Sequence, residues 1–508
     1  MTSTTTHTKD LTPIEQLEKL DQSLSALGFS EALIFWDSAT LAPKNAVNGR
    51  SETLVHLSEF YYNTLVNEHI HQVLIDLEAT KNDLNDLEKS KLQFFREEYD
   101  KVACVPVDEY AAFKGLQALS SDAWEEAKEK NDFSIFEPYL QKVIDFQRKY
   151  IEYRNKGGHP YDTLLQDYER DLTVEITDQF FDRLRAVIVP LVQKIKDSGV
   201  TVLSPFEGVS YDVKNQKQLS DLLLEKLGFN KDSGIIAESV HPFTMNITKD
   251  DVRITTHYYE DNILSSLYST IHECGHALYE QDIDVALGFS RLATGTTMGI
   301  HESQSRIYEN NVGRSRVFWE TYFPLLKNLF PDQLGDATPE ICYKACNYVR
   351  PTLIRIEADE LTYALHIMIR YELEKQIFEG KLNAKDLPSA WNELYQNYLG
   401  ITPDSDAKGV LQDVHWSEGL FGYFPSYALG SAYAAQFEVA MNKDFDVNKA
   451  ITDDQLILIK NWLADKIHKY GSTKTPEEIL LIATGEPFNP KYFTDYLLKK
   501  YSDLYNLG

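Results

Sequence analysis

Apolar residues recur every three to four positions along most of the chain, the spacing of amphipathic helices. Thr12-Pro13 followed by Glu15 supplies an N-cap, a first-turn proline and a helix-opening carboxylate. Leu17, Leu20, Leu24 and Leu27 then form one stripe. The same periodicity predicts helical segments over 51–79, 84–103, 107–130, 136–155 and 176–198, with Gly157-Gly158-His159-Pro160 as a break. Residues 200–214 are irregular and 216–227 read as helical again. Near 234–260 the period changes. Residues 251–258 alternate, so Arg253, Thr255 and His257 share one strand face, and 241–247 is the expected partner strand across a turn at Thr248-Lys249-Asp250. Helical texture resumes at about 262 and runs to the C-terminus. The expected fold is mainly α: a large helical body with one small β element.

At 508 residues, length alone suggests about three or four domains. No Gly/Ser linker or solenoid repeat divides the chain, so a single body over 11–508 is expected behind a polar, disordered tail at 1–10. Composition is ordinary for a globular protein, but 78 acidic residues against 50 basic ones give a formal charge of −28. That balance disfavours nucleic acid and anionic membrane surfaces as partners. No apolar run is long enough to span a membrane. The start, MTSTTTHTKD, lacks the features of a secretory signal, and four scattered cysteines do not make a disulfide framework. A cytoplasmic setting is the expectation.

The chemistry is concentrated at Ile271-His272-Glu273-Cys274-Gly275-His276. Histidines at i and i+4 stand one helical turn apart, so both imidazoles reach one ion. Glu273 sits beside that face, where it can take a proton from water. A catalytic zinc needs a third protein ligand and an open position. Glu302, 26 residues beyond His276, opens another helix and would complete a two-histidine, one-carboxylate set. His301 competes for the place, but adjacent helical residues point about 100° apart, so only one faces the metal. Zn2+ is the expected cofactor, with Co2+ or another divalent ion as an alternative.

Five motifs make the sequence resemble the carboxypeptidase Taq family of metallocarboxypeptidases. They are Asp251-x-Arg253-x-Thr255, His272 to His276, His301-Glu302-Ser303-Gln304, Ile354-Arg355-x-x-Ala358-Asp359 and Gly409-x-x-Gln412-Asp413-x-His415-Trp416. Gly422-Tyr423-Phe424-Pro425-Ser426-Tyr427 follows them and is also similar to the family. The N-terminal third resembles it more weakly, through Trp36-Asp37, Tyr161-Asp162 and Glu169. The resemblance implies a helical fold with a deep active-site groove, a helical cap over roughly 11–200 and a catalytic part over roughly 201–508. It also implies release of C-terminal amino acids from peptides, usually by a homodimer.

Roles follow from the motifs. Glu273 is the general base that moves the water proton to the leaving amine, with zinc activating the water. His415 and either Tyr423 or Tyr427 are the candidates for oxyanion stabilisation, since related groove peptidases use a late His and Tyr. Arg253 and Arg355 are the candidates for gripping the free carboxylate, which suits a planar guanidinium fork. Arg355 could instead pair with Glu357, Asp359 or Glu360 as a structural ion pair, and Asp359 could orient a metal-bound histidine. Asp251 and Asp413 read as structural partners. Cys342 and Cys346, like Cys274, read as buried small residues. Two other functions fit the same motifs: an oligoendopeptidase or peptidyl-dipeptidase on the same groove, and a catalytically silent peptide-binding scaffold.

Overall fold

Thr12 opens the first helix as the sequence anticipates: its side chain accepts from the Glu15 amide while the Glu15 carboxylate accepts from the Thr12 amide. The computed structural model describes residues 11–154 and 156–507, so the tail expected at 1–10 lies outside the described residues. The first half is a run of helices: α1 (Pro13–Thr40), α2 (Val47–Leu65), α3 (Glu68–Ala79), α4 (Asp86–Ala103), α5 (Val107–Lys130), α6 (Phe133–Arg154), the short α7 (Asp162–Leu165), α8 (Val174–Ser198) and α9 (Val213–Leu227). The stretch 51–79, periodic throughout, breaks at Val66-Asn67, where the Asn67 side chain accepts from the Ile70 amide and starts a new helix.

A three-stranded sheet follows: β1 (Gly234–Glu238), β2 (Thr244–Thr248) and β3 (Asp251–Thr256), in the order β1-β3-β2. The β2–β3 antiparallel pair is the expected one, whereas β1 lies parallel on the other side of β3. Gly-Ile-Ile-Ala-Glu does not alternate, so its sequence carries no strand signal. His257 falls just beyond the end of β3, its Nδ1 2.8 Å from the Ser239 carbonyl oxygen.

The second half holds α10 (Ile263–Gln281), α11 (Met298–Arg306), α12 (Arg316–Leu329), α13 (Pro339–Cys346), α14 (Glu360–Phe378), α15 (Leu387–Leu399), α16 (Pro425–Asp444), α17 (Val447–Thr452), α18 (Ile457–Lys466), α19 (Pro476–Thr484) and α20 (Lys491–Tyr505). Buried side chains from Phe113 to Tyr505 form one core that crosses residue 200 without a break. A second, smaller core gathers Leu17, Leu20, Leu24, Leu65, Leu74 and Phe95 from α1 to α4. Polar contacts tie that unit to the main body through Asp21, whose carboxylate accepts from Ser290 Oγ and the Arg291 amide at 2.7 Å each. No described helix is long and apolar enough to cross a membrane.

Candidate metal and peptide site

The site is built on α10, α11 and the loops that pack against them. The Asn262 side chain accepts from the Ser265 amide and starts α10, and one helical turn separates His272 from His276 on its half-exposed face. Cys274 turns into the core from the same helix. Close packing brings α11 across: a Cβ added to Gly275 would stand 2.6 Å from the Gln304 carbonyl oxygen, so only glycine permits this approach. Glu302 then lies with Oε2 3.8 Å from His272 Nε2 and 3.5 Å from His276 Nε2. The ligand atoms of these three residues fall within 4.8 Å of one another, a spacing one ion can bridge.

Two of the three charge states suit a cation, which needs a neutral imidazole and an ionised carboxylate; at His272 burial lowers the pKa, but the Glu302 and Glu309 carboxylates outweigh it and raise it. Burial, with His301 beside it, pushes the His276 pKa down to about 3, so the ring is neutral. Burial alone would raise Glu302, but the Arg306 guanidinium and His272 outweigh it and hold the carboxyl well below its usual range. Arg306 Nε donates to Glu302 Oε1 at 2.7 Å. Two imidazoles and one carboxylate fit a divalent metal.

Glu309, which the sequence reading did not single out, orients His272: its Oε2 lies 2.8 Å from His272 Nδ1. It also accepts from Arg306 Nη1 and Arg314 Nη2 at 3.0 Å each. Glu309 sits in a π-helical segment, Ile307–Gly313, directly after α11. Its separation of seven residues from Glu302, about two helical turns, was the available signal. The role considered for Asp359 is thereby corrected. Asp359 caps α14, accepting from the Leu361 and Thr362 amides, and does not orient a histidine. His301 stacks on the His276 ring and pairs with Glu280 at 2.8 Å, outside the three-residue set.

The two arginines separate. On β3, Thr256 meets Ser269 of α10 at 2.6 Å, so Val252, Ile254 and Thr256 face the metal helix and Arg253 points to the opposite side. There its Nε and Nη2 donate to Asp251 at 2.7 and 2.8 Å, and its guanidinium lies over the Trp36 ring. The structure therefore does not bring Arg253 to the metal-ligand cluster. Arg355, in the short turn Arg355–Glu357, does join it. Its Nη1 donates to Tyr363 Oη at 3.0 Å, and the Tyr363 ring lies under Arg306, the partner of Glu302. The ion-pair partner of Arg355 is Asp413, not Glu357, Asp359 or Glu360: Nη2 donates to Oδ1 at 2.9 Å.

His415, Tyr423 and Tyr427 lie beside this arginine. Arg355 is 5.3 Å from the Tyr427 ring centre, Tyr427 meets Tyr423 edge to face, and Tyr423 stacks on His415. Burial pushes the His415 pKa down to about 3, so its imidazole is neutral. The loop is fixed by Glu374, which accepts from Arg370 Nε, Trp416 Nε1, the Gly422 amide and Tyr161 Oη. Asp413 is a structural partner, as expected, and Cys342 and Cys346 are buried thiols.

Comparison with known proteins agrees with this geometry. The family model for carboxypeptidase Taq (M32) metallopeptidases matches residues 16–501. Carboxypeptidase 1 of Bacillus subtilis (strain 168) is 44% identical over 477 residues, 94% of this chain and 95% of that protein. Thermostable carboxypeptidase 1 of Pyrococcus furiosus is 35% identical over 491 residues, 96% and 98% of the two chains. The crystal structure of the M32 carboxypeptidase from Deinococcus radiodurans R1 superposes with a TM-score of 0.94 at 34% identity, covering 97% of this chain and 100% of that one. With the match running nearly end to end and the motif residues meeting in space, the chain belongs to the carboxypeptidase Taq (M32) family and is a metallocarboxypeptidase.

Proposed function

We propose that this enzyme removes C-terminal residues by general-base hydrolysis at a zinc site of His272, His276 and Glu302, with Glu273 as the base and Arg355 as the carboxylate anchor. A divalent ion held there would polarise the scissile carbonyl and make water more acidic. Two imidazoles and a carboxylate are the donor set of catalytic zinc in peptidases, which supports zinc over a harder ion; cobalt would also fit. Glu273 takes the proton of the attacking water and delivers it to the leaving amine. Neutral His415 and the hydroxyl of Tyr423 or Tyr427 donate to the oxyanion that develops on the carbonyl. The cytoplasm as location and a homodimer as assembly are part of the same proposal, resting on the family resemblance and the composition.

The observation that carries the substrate reading is the Arg355 fork. A guanidinium has five N–H donors. Asp413 takes those of Nε and one of Nη2, and Tyr363 takes one of Nη1. One N–H on each terminal nitrogen is left to donate a charge-assisted hydrogen bond to a substrate carboxylate. Such an anchor sets the last peptide bond, and no other, over the reacting groups. The test compares one short peptide as free acid, C-terminal amide and N-acetylated acid. The free acid should exceed the amide by roughly 30-fold to several thousand-fold in kcat/KM, about 2–5 kcal/mol, and N-acetylation should change little. Arg355→Ala should collapse the acid-over-amide ratio while Arg253→Ala leaves it in place. Equal cleavage of acid and amide, or mainly internal cuts, would establish the oligoendopeptidase reading instead.

A further inference from the structure

Glu273 is steadied from one side only. Thr244 is the first residue of β2 and pairs with Ile254 of β3. Directly opposed residues on paired strands share a sheet face, and Ile254 is on the face that packs against α10. The Thr244 side chain therefore points at the metal helix, where its Oγ1 lies 2.7 Å from Glu273 Oε2 and 3.0 Å from the Glu273 carbonyl oxygen. A hydroxyl has one proton to donate. The carbonyl already has a helical partner four residues on, whereas Oε2 is closer and has no other donor, so the proton goes to Oε2. Among the described residues the Thr244 hydroxyl is the one hydrogen-bond donor to this carboxylate, and it meets Oε2 rather than Oε1.

We infer that Thr244 is a positioning residue for hydrolysis: its hydroxyl locks the Glu273 side chain by Oε2 and so presents Oε1 to the water and the leaving amine. The inference rests on Glu273 being the general base. A glutamate has three side-chain torsions, and burial alone does not choose among their combinations. A hydrogen bond from a strand paired with β3 at Thr244, Met245 and Asn246 does choose, because the donor sits on a rigid element. The base is then oriented before substrate arrives, which removes one reorganisation from the chemical step.

The test is a pair of substitutions in the metal-loaded enzyme. Thr244→Val keeps the branched shape and the strand preference but loses the hydroxyl; Thr244→Ser keeps the hydroxyl. Thr244→Val should lower kcat about 10- to 100-fold with KM within about twofold, the usual worth of a hydrogen bond to a charged group. Bound metal per chain and Tm should match the parent enzyme. Thr244→Ser should restore kcat to within about fivefold of the parent. In a Glu273→Gln background, Thr244→Val should lower the residual rate no further. Undiminished kcat in Thr244→Val, an equal fall in both variants, or a fall that tracks lost metal or lost Tm would each overturn the positioning role. A metal-replete Glu273→Gln enzyme that turns over normally would overturn the general-base reading instead.

Discussion

Glu309 shows what a single carboxylate behind a candidate ligand does. It fixes the His272 ring by accepting from Nδ1, which leaves Nε2 aimed at Glu302, and it neutralises Arg306 and Arg314 on its other lone pairs. Glu309→Gln should weaken metal binding by about 10- to 100-fold, measured by competition with a chelator of known affinity. Unchanged affinity would mean that the ring is held by packing alone. The grouping of His272 with His276 is legible in the sequence because helix geometry ties spacing to direction, and Glu302, which meets them in space, stands at the range where a carboxylate accompanies such a pair. Glu309 was passed over because nothing in its own surroundings marks it; only its two-turn distance from Glu302 does. The placement of Arg253 on the far face of β3 is hidden for a related reason. Alternation says which residues share a strand face but not which face meets the next helix, and that is fixed by the packing of β3 on α10.

Two contacts between elements decide where the Glu302 carboxylate stands. Gly275 lets α10 touch the backbone of α11, and Gly430 lets α16 press on Glu302 itself: a Cβ there would lie 2.6 Å from Glu302 Cβ. Neither neighbour is the tip of a flexible side chain, so a methyl group cannot be absorbed by a rotamer change. Gly430→Ala should cost about 1–3 kcal/mol in denaturant stability and should lower metal affinity, because α11 is the element displaced. Stability lost with metal affinity intact would show that α11 yields without moving Glu302. Most helices were readable from three-to-four-residue stripes. The division of α2 from α3, strand β1 and the π-helical segment were not, since an asparagine cap, a parallel pairing and one register change leave little periodic trace.

For the molecule as a whole, buried histidines give stability a defined pH slope. Burial pushes His366 down to about 3, as it does His415, while an unfolded histidine titrates near 6.5. Between those values the unfolded chain binds protons that the folded one refuses, so stability should fall as pH drops from about 6.5 towards 3. His366 lies away from the metal ligands, its Nδ1 2.9 Å from Tyr395 Oη. The difference in urea stability between pH 7.5 and pH 5.5 should be smaller in His366→Gln than in the parent, with the metal's own pH dependence common to both. An identical difference would show that His366 charges in the folded state. The separate core of α1 to α4 has a consequence of another kind. Because these helices bury their own leucines and meet the body partly through the carboxylate of Asp21, they can melt or part as a cooperative unit while α10 and α11 stay formed. Native-state hydrogen exchange should then find the amides of α1, α3 and α4 opening together, at a lower free energy than those of α10. Since Phe35 and Trp36 at the end of α1 rest on Phe243, next to Thr244, that opening would loosen the aromatic wall one residue from the strand that touches Glu273.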